Sequence, residues 1–106
     1  MRRSIERLLH ASGFKTTSFA SAEAFLDARV DGALALVLDI HLPGMSGIEL
    51  RRRLLASGSP LPVIFITALD DTTMRAEALA TGCVDLLQKP FEAARLMHAL
   101  EKCSAT

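Results

Sequence analysis

Tryptophan and tyrosine are both absent from the 106 residues, and phenylalanine occurs only five times. Flat aromatic surfaces on which nucleic-acid bases or sugars could stack are therefore scarce. The 12 basic and 12 acidic side chains balance to a formal net charge of zero, so the composition indicates no electrostatic surface for nucleic acid or anionic lipid. A neutral chain favours a protein or a small ion as its partner.

The two cysteines, Cys83 and Cys103, stand far apart and form no Cys-x-x-Cys pair. This spacing excludes a disulfide framework and a structural zinc cluster, and it indicates buried thiols of a cytoplasmic protein. No apolar run approaches the length that spans a bilayer, and the amino end lacks the apolar core of a signal peptide. We therefore expect a cytoplasmic location with no membrane partner. A single domain is also expected, because the chain has close to the commonest domain size.

The segment Leu34 to Asp39 is apolar except for its final carboxylate, and a turn containing Pro43 and Gly44 follows it. A continuous apolar run without alternation is typical of a strand buried on both faces, as in parallel sheets. Asp39 then lies at the carboxyl end of that strand, the edge at which α/β sheets bind ligands. Alternatively, Asp39 only caps the turn that follows it.

Helical and extended patterns alternate along the chain. The predicted strands are Phe14–Phe19, Leu34–Asp39, Val63–Ile66 with Thr67 at its end, and Val84–Gln88. The predicted helices run from near Met1 to Gly13, from Ser21 to Asp31 and Gly32, from Ser46 through Leu54, from Asp70, Asp71 and Thr72 to Gly82, and through Leu96, Leu100 and Cys103 on one stripe. The fourth helix is expected to be the least firmly packed. This alternation predicts an α/β fold in which helices wrap a parallel sheet.

Three consecutive arginines, Arg51 to Arg53, follow a capping box formed by Ser46 and Glu49. Such a run can bind nucleic acid, but successive helical positions spread over most of the helix circumference. We therefore interpret the arginines as a mostly solvated face and expect no direct nucleic-acid binding.

Three of the predicted strands end, in order, at Asp39, Thr67 and Lys89. The carboxyl ends of parallel strands share one edge and neighbouring strands are about 5 Å apart, so the three side chains can meet in one cleft. There the carboxylate can attack a phosphoryl donor, while the ammonium and the hydroxyl hold the oxygens of the acyl phosphate. Taken singly, Lys89 could equally be a salt-bridge partner of Asp39, and Thr67 an ordinary residue at a strand end.

The segments Leu36–Gly47, Ile64–Ala68 and Val84–Phe91 resemble, in order and in spacing, the motifs of the receiver domain of two-component response regulators. The resemblance implies a flavodoxin-like, doubly wound parallel sheet flanked by helices. It further implies a cytoplasmic signalling domain that a histidine kinase phosphorylates with Mg²⁺ as cofactor. Such a domain is not an enzyme, since its chemistry is limited to self-phosphoryl transfer and slow dephosphorylation.

The resemblance also assigns roles to individual residues. Asp39 matches the phosphoacceptor, Thr67 the switch hydroxyl and Lys89 the phosphoryl-binding cation. Pro90 matches a proline whose preceding peptide bond is cis, an isomer that proline makes accessible. The metal ligands implied by the resemblance are Asp39 and the backbone carbonyl of His41.

The sequence departs from the family pattern at its amino end, where it has no first strand and no acidic pair before the first helix. Mg²⁺ prefers octahedral oxygen coordination that includes carboxylates, so we expect weak Mg²⁺ binding and slow or absent phosphorylation. We interpret residues 1–106 as one receiver domain that is incomplete at the amino terminus. The missing strand would lie beside Leu34–Asp39, and we expect either that Phe14–Phe19 moves inward or that two chains pair across the vacancy.

Several alternatives stay open. A homodimer could form through the vacant strand position or through the face of Asp71 to Lys102, which the resemblance identifies as a partner surface. Leu86 stands where many receivers have an aromatic switch residue, so the conformational signal could be weak.

The chain could also be a degenerate, non-phosphorylated receiver that acts as an interaction module. A remote alternative is a phosphohydrolase with Asp39 as nucleophile, similar to the haloacid dehalogenase group, in which His41 occupies the position of a second aspartate.

Overall fold

The computed structural model describes residues 2–30, 32–41, 44–68 and 72–104. Within these ranges the helices are α1 (Arg2–Ala11), α2 (Ala22–Ala28), α3 (Gly47–Ala56), α4 (Thr72–Ala80) and α5 (Ala93–Ser104), and the strands are β1 (Leu36–Asp39), β2 (Val63–Thr67) and β3 (Asp85–Gln88). The alternation of helices and strands confirms the predicted α/β class. Some predictions fall on residues outside the described ranges, namely the helix end at Asp31, the turn at Pro43 and the helix start at Asp70 and Asp71. None of the helices in the described ranges is both long and apolar enough to cross a membrane.

The strands form a parallel sheet in the order β1–β2–β3. The central strand β2 is buried at all five of its positions, which agrees with its uninterrupted apolar sequence. Across β1 and β2, Asp39 lies opposite Ile66, and across β2 and β3, Thr67 lies opposite Gln88. The ends of the three strands are therefore aligned at one edge of the sheet.

Each face of the sheet is covered by its own apolar cluster. One cluster joins Leu38, Phe65 and Leu86 of the strands to side chains of α2, α3 and α4. The other joins Ile64, Ile66 and Leu87 to side chains of α1 and α5, including the predicted stripe of Leu96, Leu100 and Cys103. Residues of β2 alternate between the two clusters because successive side chains of a strand point to opposite faces.

Local capping explains where several helices begin and end. The Ser21 side chain accepts a hydrogen bond from the Ala24 amide at 3.0 Å, and Ser46 accepts one from the Glu49 amide at 3.1 Å, as the sequence predicts. The helix α2 ends earlier than the sequence predicts. The helix ends at Ala28 because Arg29 adopts a left-handed conformation, with φ of 50°, and donates its amide to the Leu26 carbonyl.

The predicted strand at Phe14–Phe19 is wrong, since this segment forms no regular secondary structure. A strand is stabilised by hydrogen bonds to a neighbour, and within the described residues β1 pairs with β2 alone. The segment therefore does not move inward to pair with β1 either. Its two aromatic ends act as packing anchors instead: Phe14 packs on the α1 and α5 side, and Phe19 contacts Phe25 edge to face at 5.4 Å between ring centroids.

Arg51 corrects the interpretation of the three arginines as a solvated face, because its side chain is buried. Its guanidinium donates to the Leu61 carbonyl at 3.0 Å and to the Gly82 carbonyl at 3.3 Å. Arg52 and Arg53 are exposed, as predicted. Arg51 is thus drawn inward because two backbone acceptors in the loops before β2 and β3 lie within reach of α3.

Helix α4 is loosely packed; that it is the least firmly packed helix stays a prediction, because α1 has no buried side chain at residues 5–11. Ala78 is the only buried side chain among its nine residues, and Leu79 remains 52% exposed. Gly82, just beyond the helix, has a φ of 76°, the left-handed conformation that was expected of a glycine following a helix end.

Candidate functional site

Asp39 ends β1 and presents its carboxylate at the edge of the sheet. The next residue, Ile40, donates its amide to the Ile66 carbonyl at 3.0 Å, so the parallel pairing continues just past Asp39 and fixes its backbone. The Asp39 side chain is 32% exposed, and its Oδ1 accepts a hydrogen bond from the His41 amide at 2.9 Å. The carboxylate therefore does cap the following turn, while its second oxygen stays available for another partner.

That partner is Lys89, which follows β3. The Lys89 amide donates to the Thr67 carbonyl at 2.8 Å, which fixes the backbone of Lys89 beside β2. From there its Nζ lies 3.4 Å from Asp39 Oδ2, and the Lys89 side chain is only 19% exposed. The peptide bond between Lys89 and Pro90 is cis. A partly buried ion pair thus joins the outer strands β1 and β3 at the carboxyl edge of the sheet.

Thr67 ends the strand that lies between the two charged residues. It is one residue beyond Ile66, which faces Asp39, and it lies opposite Gln88, which precedes Lys89. Its side chain is buried, with 4% exposure. The structure therefore brings Asp39 and Lys89 into contact and aligns Thr67 with them at the same edge.

Two residues near the site were not identified from the sequence as site residues. Gly47, the first residue of α3, packs so closely on Asp39 that a Cβ added there would lie 2.5 Å from the Asp39 carbonyl oxygen. Glu23, an acidic residue in the first turn of α2, lies with its carboxylate against Gly44 in the loop after β1. Gly47 could have been noticed, because glycine is unfavourable inside a helix and needs a reason to be there. No sequence signal places Glu23 against that loop.

The described residues at this edge offer few ligands for a magnesium ion. Mg²⁺ takes near-octahedral oxygen coordination and usually binds through one or two carboxylates together with waters. In the described ranges no three His, Cys, Asp or Glu side chains come together to hold a metal ion. Both oxygens of Asp39 already accept hydrogen bonds from protein donors, the His41 amide and the Lys89 ammonium. The His41 side chain is exposed.

The two cysteines lie away from this edge. Burial raises the pKa of the Cys103 thiol, which donates to the Ala99 carbonyl at 3.4 Å. Burial also raises the pKa of Cys83, and the nearby Arg51 guanidinium offsets part of that effect. Both thiols are therefore held in the protonated form and are poor nucleophiles at neutral pH.

Comparison with known proteins identifies the family of the chain. A family model described as the response regulator receiver domain matches residues 1–101. The transcriptional regulatory protein FixJ of Bradyrhizobium diazoefficiens is 42% identical over 102 residues, which cover 95% of this chain and 50% of that protein. The C4-dicarboxylate transport transcriptional regulatory protein DctD of Rhizobium meliloti is 37% identical over 103 residues, covering 96% of this chain and 22% of that protein. The chain thus spans half or less of the length of these two relatives.

Solved structures show the same fold. The crystal structure of FixJ-N superimposes with a TM-score of 0.88 at 39% identity and covers 97% of this chain and 83% of that chain. The receiver domain of a sensor histidine kinase from Pseudomonas aeruginosa, crystallised with magnesium coordinated in its active-site cleft, gives a TM-score of 0.85 at 29% identity, covering 99% of this chain and 88% of that chain. By its sequence and its α/β fold, the chain belongs to the response regulator receiver domain family of two-component systems.

Proposed function

We propose that this chain accepts a phosphoryl group on Asp39 from a histidine kinase in a two-component phosphorelay. The observation that carries the proposal is the 3.4 Å contact between Lys89 Nζ and Asp39 Oδ2 at the carboxyl edge of the sheet. A carboxylate that is 32% exposed is accessible to a phosphoryl donor. The adjacent ammonium compensates the negative charge that the phosphoryl group brings.

In the proposed transfer, a carboxylate oxygen of Asp39 attacks the phosphorus of a phosphohistidine. The new O–P bond forms as the N–P bond of the donor breaks, and the donor imidazole, protonated on its other nitrogen, leaves as a neutral ring. The Lys89 ammonium then pairs with the phosphoryl oxygens, and Thr67 turns its hydroxyl toward them. Because Asp39 itself carries the product, the chain acts as a signalling domain whose own chemistry is self-phosphoryl transfer and slow dephosphorylation.

Mg²⁺ is the cofactor that the family implies, and one solved receiver domain similar to this chain carries magnesium in its cleft. When bound, such an ion supplies positive charge to the phosphoryl oxygens during transfer. Among the described residues at the strand ends, Asp39 alone offers a carboxylate, and we therefore propose that Mg²⁺ binds weakly and that phosphorylation is slow. The proposal carries with it a cytoplasmic location, which the resemblance to the family implies.

The partners we propose are proteins. FixJ and DctD are transcriptional regulatory proteins, but they are longer than this chain. The exposed arginines of α3 are engaged with acidic side chains, Arg52 with Glu77 and Arg53 with Glu49, each at 3.8 Å, which disfavours direct nucleic-acid binding by this domain. We propose a histidine kinase as the donor. A second copy of the chain, paired through the open edge of β1 or through residues 71–102, is a further proposed partner that sedimentation would test.

The experiment that tests the proposal is incubation with acetyl phosphate, followed by measurement of the intact mass. We expect a slow gain of one phosphoryl group in the natural chain and no gain in Asp39→Asn. Asp27→Asn is a matched control, because Asp27 is an exposed carboxylate on α2, and it should be labelled like the natural chain. A gain that persists in Asp39→Asn would show that another residue is the acceptor.

The alternative of a non-phosphorylated interaction module is favoured by one observation, the lack of a three-ligand metal group in the described part of the chain. In that case no phosphoryl gain occurs with any donor, while binding to a partner persists in Asp39→Asn. The same labelling experiment, extended to saturating donor and long incubation, separates the two functions.

A further inference from the structure

The guanidinium of Arg51 joins three segments of the chain. It extends from α3 and donates to the Leu61 carbonyl at 3.0 Å and to the Gly82 carbonyl at 3.3 Å. Leu61 lies in the loop just before β2, and Gly82 lies in the turn between α4 and β3. This contact is therefore at the amino edge of the sheet, opposite the edge that carries Asp39.

Helix α4 brings little apolar surface of its own to the core. Ala78 is the only buried side chain among its nine residues, and the half-buried Met74 joins it in the cluster that contains Leu86. The free energy gained by burial scales with the apolar area removed from water, and an alanine side chain offers only a small area. Apolar packing therefore holds this helix weakly.

Two further polar contacts of α4 lie at the surface. Arg75 donates to the Gln88 side chain at 3.3 Å, and Glu77 lies 3.8 Å from the Arg52 guanidinium, with both members of that ion pair exposed. Exposed pairs contribute little, because water competes for both partners. The hydrogen bonds of Arg51 differ, since its side chain is only 8% exposed and water has little access to it.

We infer that Arg51 controls a local opening of α4, because its hydrogen bond to the Gly82 carbonyl holds the end of this helix against α3. When that bond breaks, α4 and the turn after it leave the fold as a unit while the sheet stays paired. Segments with few buried apolar contacts are those that open before the whole chain unfolds. The sheet keeps its own support, since β2 pairs with both of its neighbours and is buried at every position. The inference does not depend on phosphorylation of Asp39.

Amide hydrogen exchange, followed by NMR at several low urea concentrations, tests this inference. In the natural chain we expect the α4 amides to exchange with a weak dependence on urea, because a local opening exposes little surface. The β2 amides should show a strong dependence, because they exchange only when the whole chain unfolds. In Arg51→Met the α4 amides should exchange about tenfold faster or more, since a hydrogen bond from a charged donor is lost, and the weak urea dependence should persist.

Arg53→Met is the matched control, because Arg53 pairs with Glu49 of its own helix at 3.8 Å. Exchange of the α4 amides in this variant should match that of the natural chain. An equal urea dependence of the α4 and β2 amides in the natural chain would overturn the inference, and this result needs no variant. It would also be overturned if Arg51→Met changed α4 exchange no more than Arg53→Met, or raised it only with the urea dependence of β2.

Discussion

Replacement of Arg51 by methionine probes a buried arginine that the sequence pattern places on a solvated face. The side chain is 8% exposed and donates two hydrogen bonds to backbone carbonyls, those of Leu61 and Gly82. Its Nε is buried without a hydrogen-bond partner. The residue thus combines two favourable hydrogen bonds with one buried N–H group that has no partner.

The favourable contacts outweigh the unfavourable one. Each hydrogen bond from a charged donor contributes about 1.5–3 kcal/mol, so the two together contribute about 3–6 kcal/mol. Releasing a buried unpaired donor recovers about 1–3 kcal/mol. Methionine fills a similar volume without the charge, which limits any cavity. Taking the middle of each range, about 4.5 and about 2 kcal/mol, we expect Arg51→Met to lower the free energy of unfolding by about 2.5 kcal/mol.

The assay is equilibrium unfolding in urea followed by far-UV circular dichroism, because the chain has no tryptophan or tyrosine to serve as a fluorescent probe. Arg52→Met is the matched control, since Arg52 is the next residue on α3 and its side chain is 59% exposed. Its ion pair with Glu77 is a surface contact, so a change of no more than about 0.5 kcal/mol is expected. Equal stability of the two variants would refute the reasoning about Arg51.

Three further changes test other parts of the structure. Gly47→Ala places a Cβ 2.5 Å from the Asp39 carbonyl oxygen, so thermal melting should show a loss of about 1–3 kcal/mol, and unchanged melting would contradict the close contact. Arg29→Gly should gain about 0.5 kcal/mol in urea unfolding, because a left-handed φ of 50° strains a residue with a Cβ more than it strains glycine; a loss would contradict this. Iodoacetamide should modify Cys83 and Cys103 more slowly in the folded chain than in urea, because burial raises both pKa values. Because the pKa of each thiol is higher in the folded chain than in the unfolded chain, the stability that the protonated thiols contribute is complete at neutral pH. It falls as the pH rises above the ordinary cysteine pKa of 9.0. Alkylation of the folded chain at the rate of the unfolded chain would contradict the raised pKa values.

The sheet could be predicted from the sequence because its strands are short apolar runs that end in polar residues. The run from Val63 to Thr67 is buried at every position, which is the burial that an uninterrupted apolar pattern indicates. Serine caps before α2 and α3 were also predictable, since their hydrogen bonds are local and depend on residues three positions apart.

The failures share a physical cause, which is dependence on a distant partner. Phe14–Phe19 has the composition of a strand, but a strand needs a neighbour, and composition does not show whether one is present. Arg51 has the sequence context of a solvated residue, yet two carbonyls far along the chain satisfy its guanidinium. Where tertiary contacts determine the secondary structure or the burial of a residue, local sequence patterns alone cannot predict it.

In the candidate site, too, some residues could be predicted from the sequence and others could not. Asp39, Thr67 and Lys89 were predicted to share an edge because strand ends in a parallel sheet must align, and the observed register has this alignment. The close contact of Gly47 with the Asp39 carbonyl and the position of Glu23 against Gly44 were not predicted. Both depend on how the loop after β1 folds back, which no periodicity describes.

The most direct test of the proposed function is to map the phosphoryl group onto the chain. After treatment with acetyl phosphate, borohydride reduces an acyl phosphate to an alcohol and leaves a stable mark that peptide mass spectrometry can locate. We expect a single mark on Asp39, at the end of β1. A mark on any other carboxylate, with Asp39 unmodified, would contradict it.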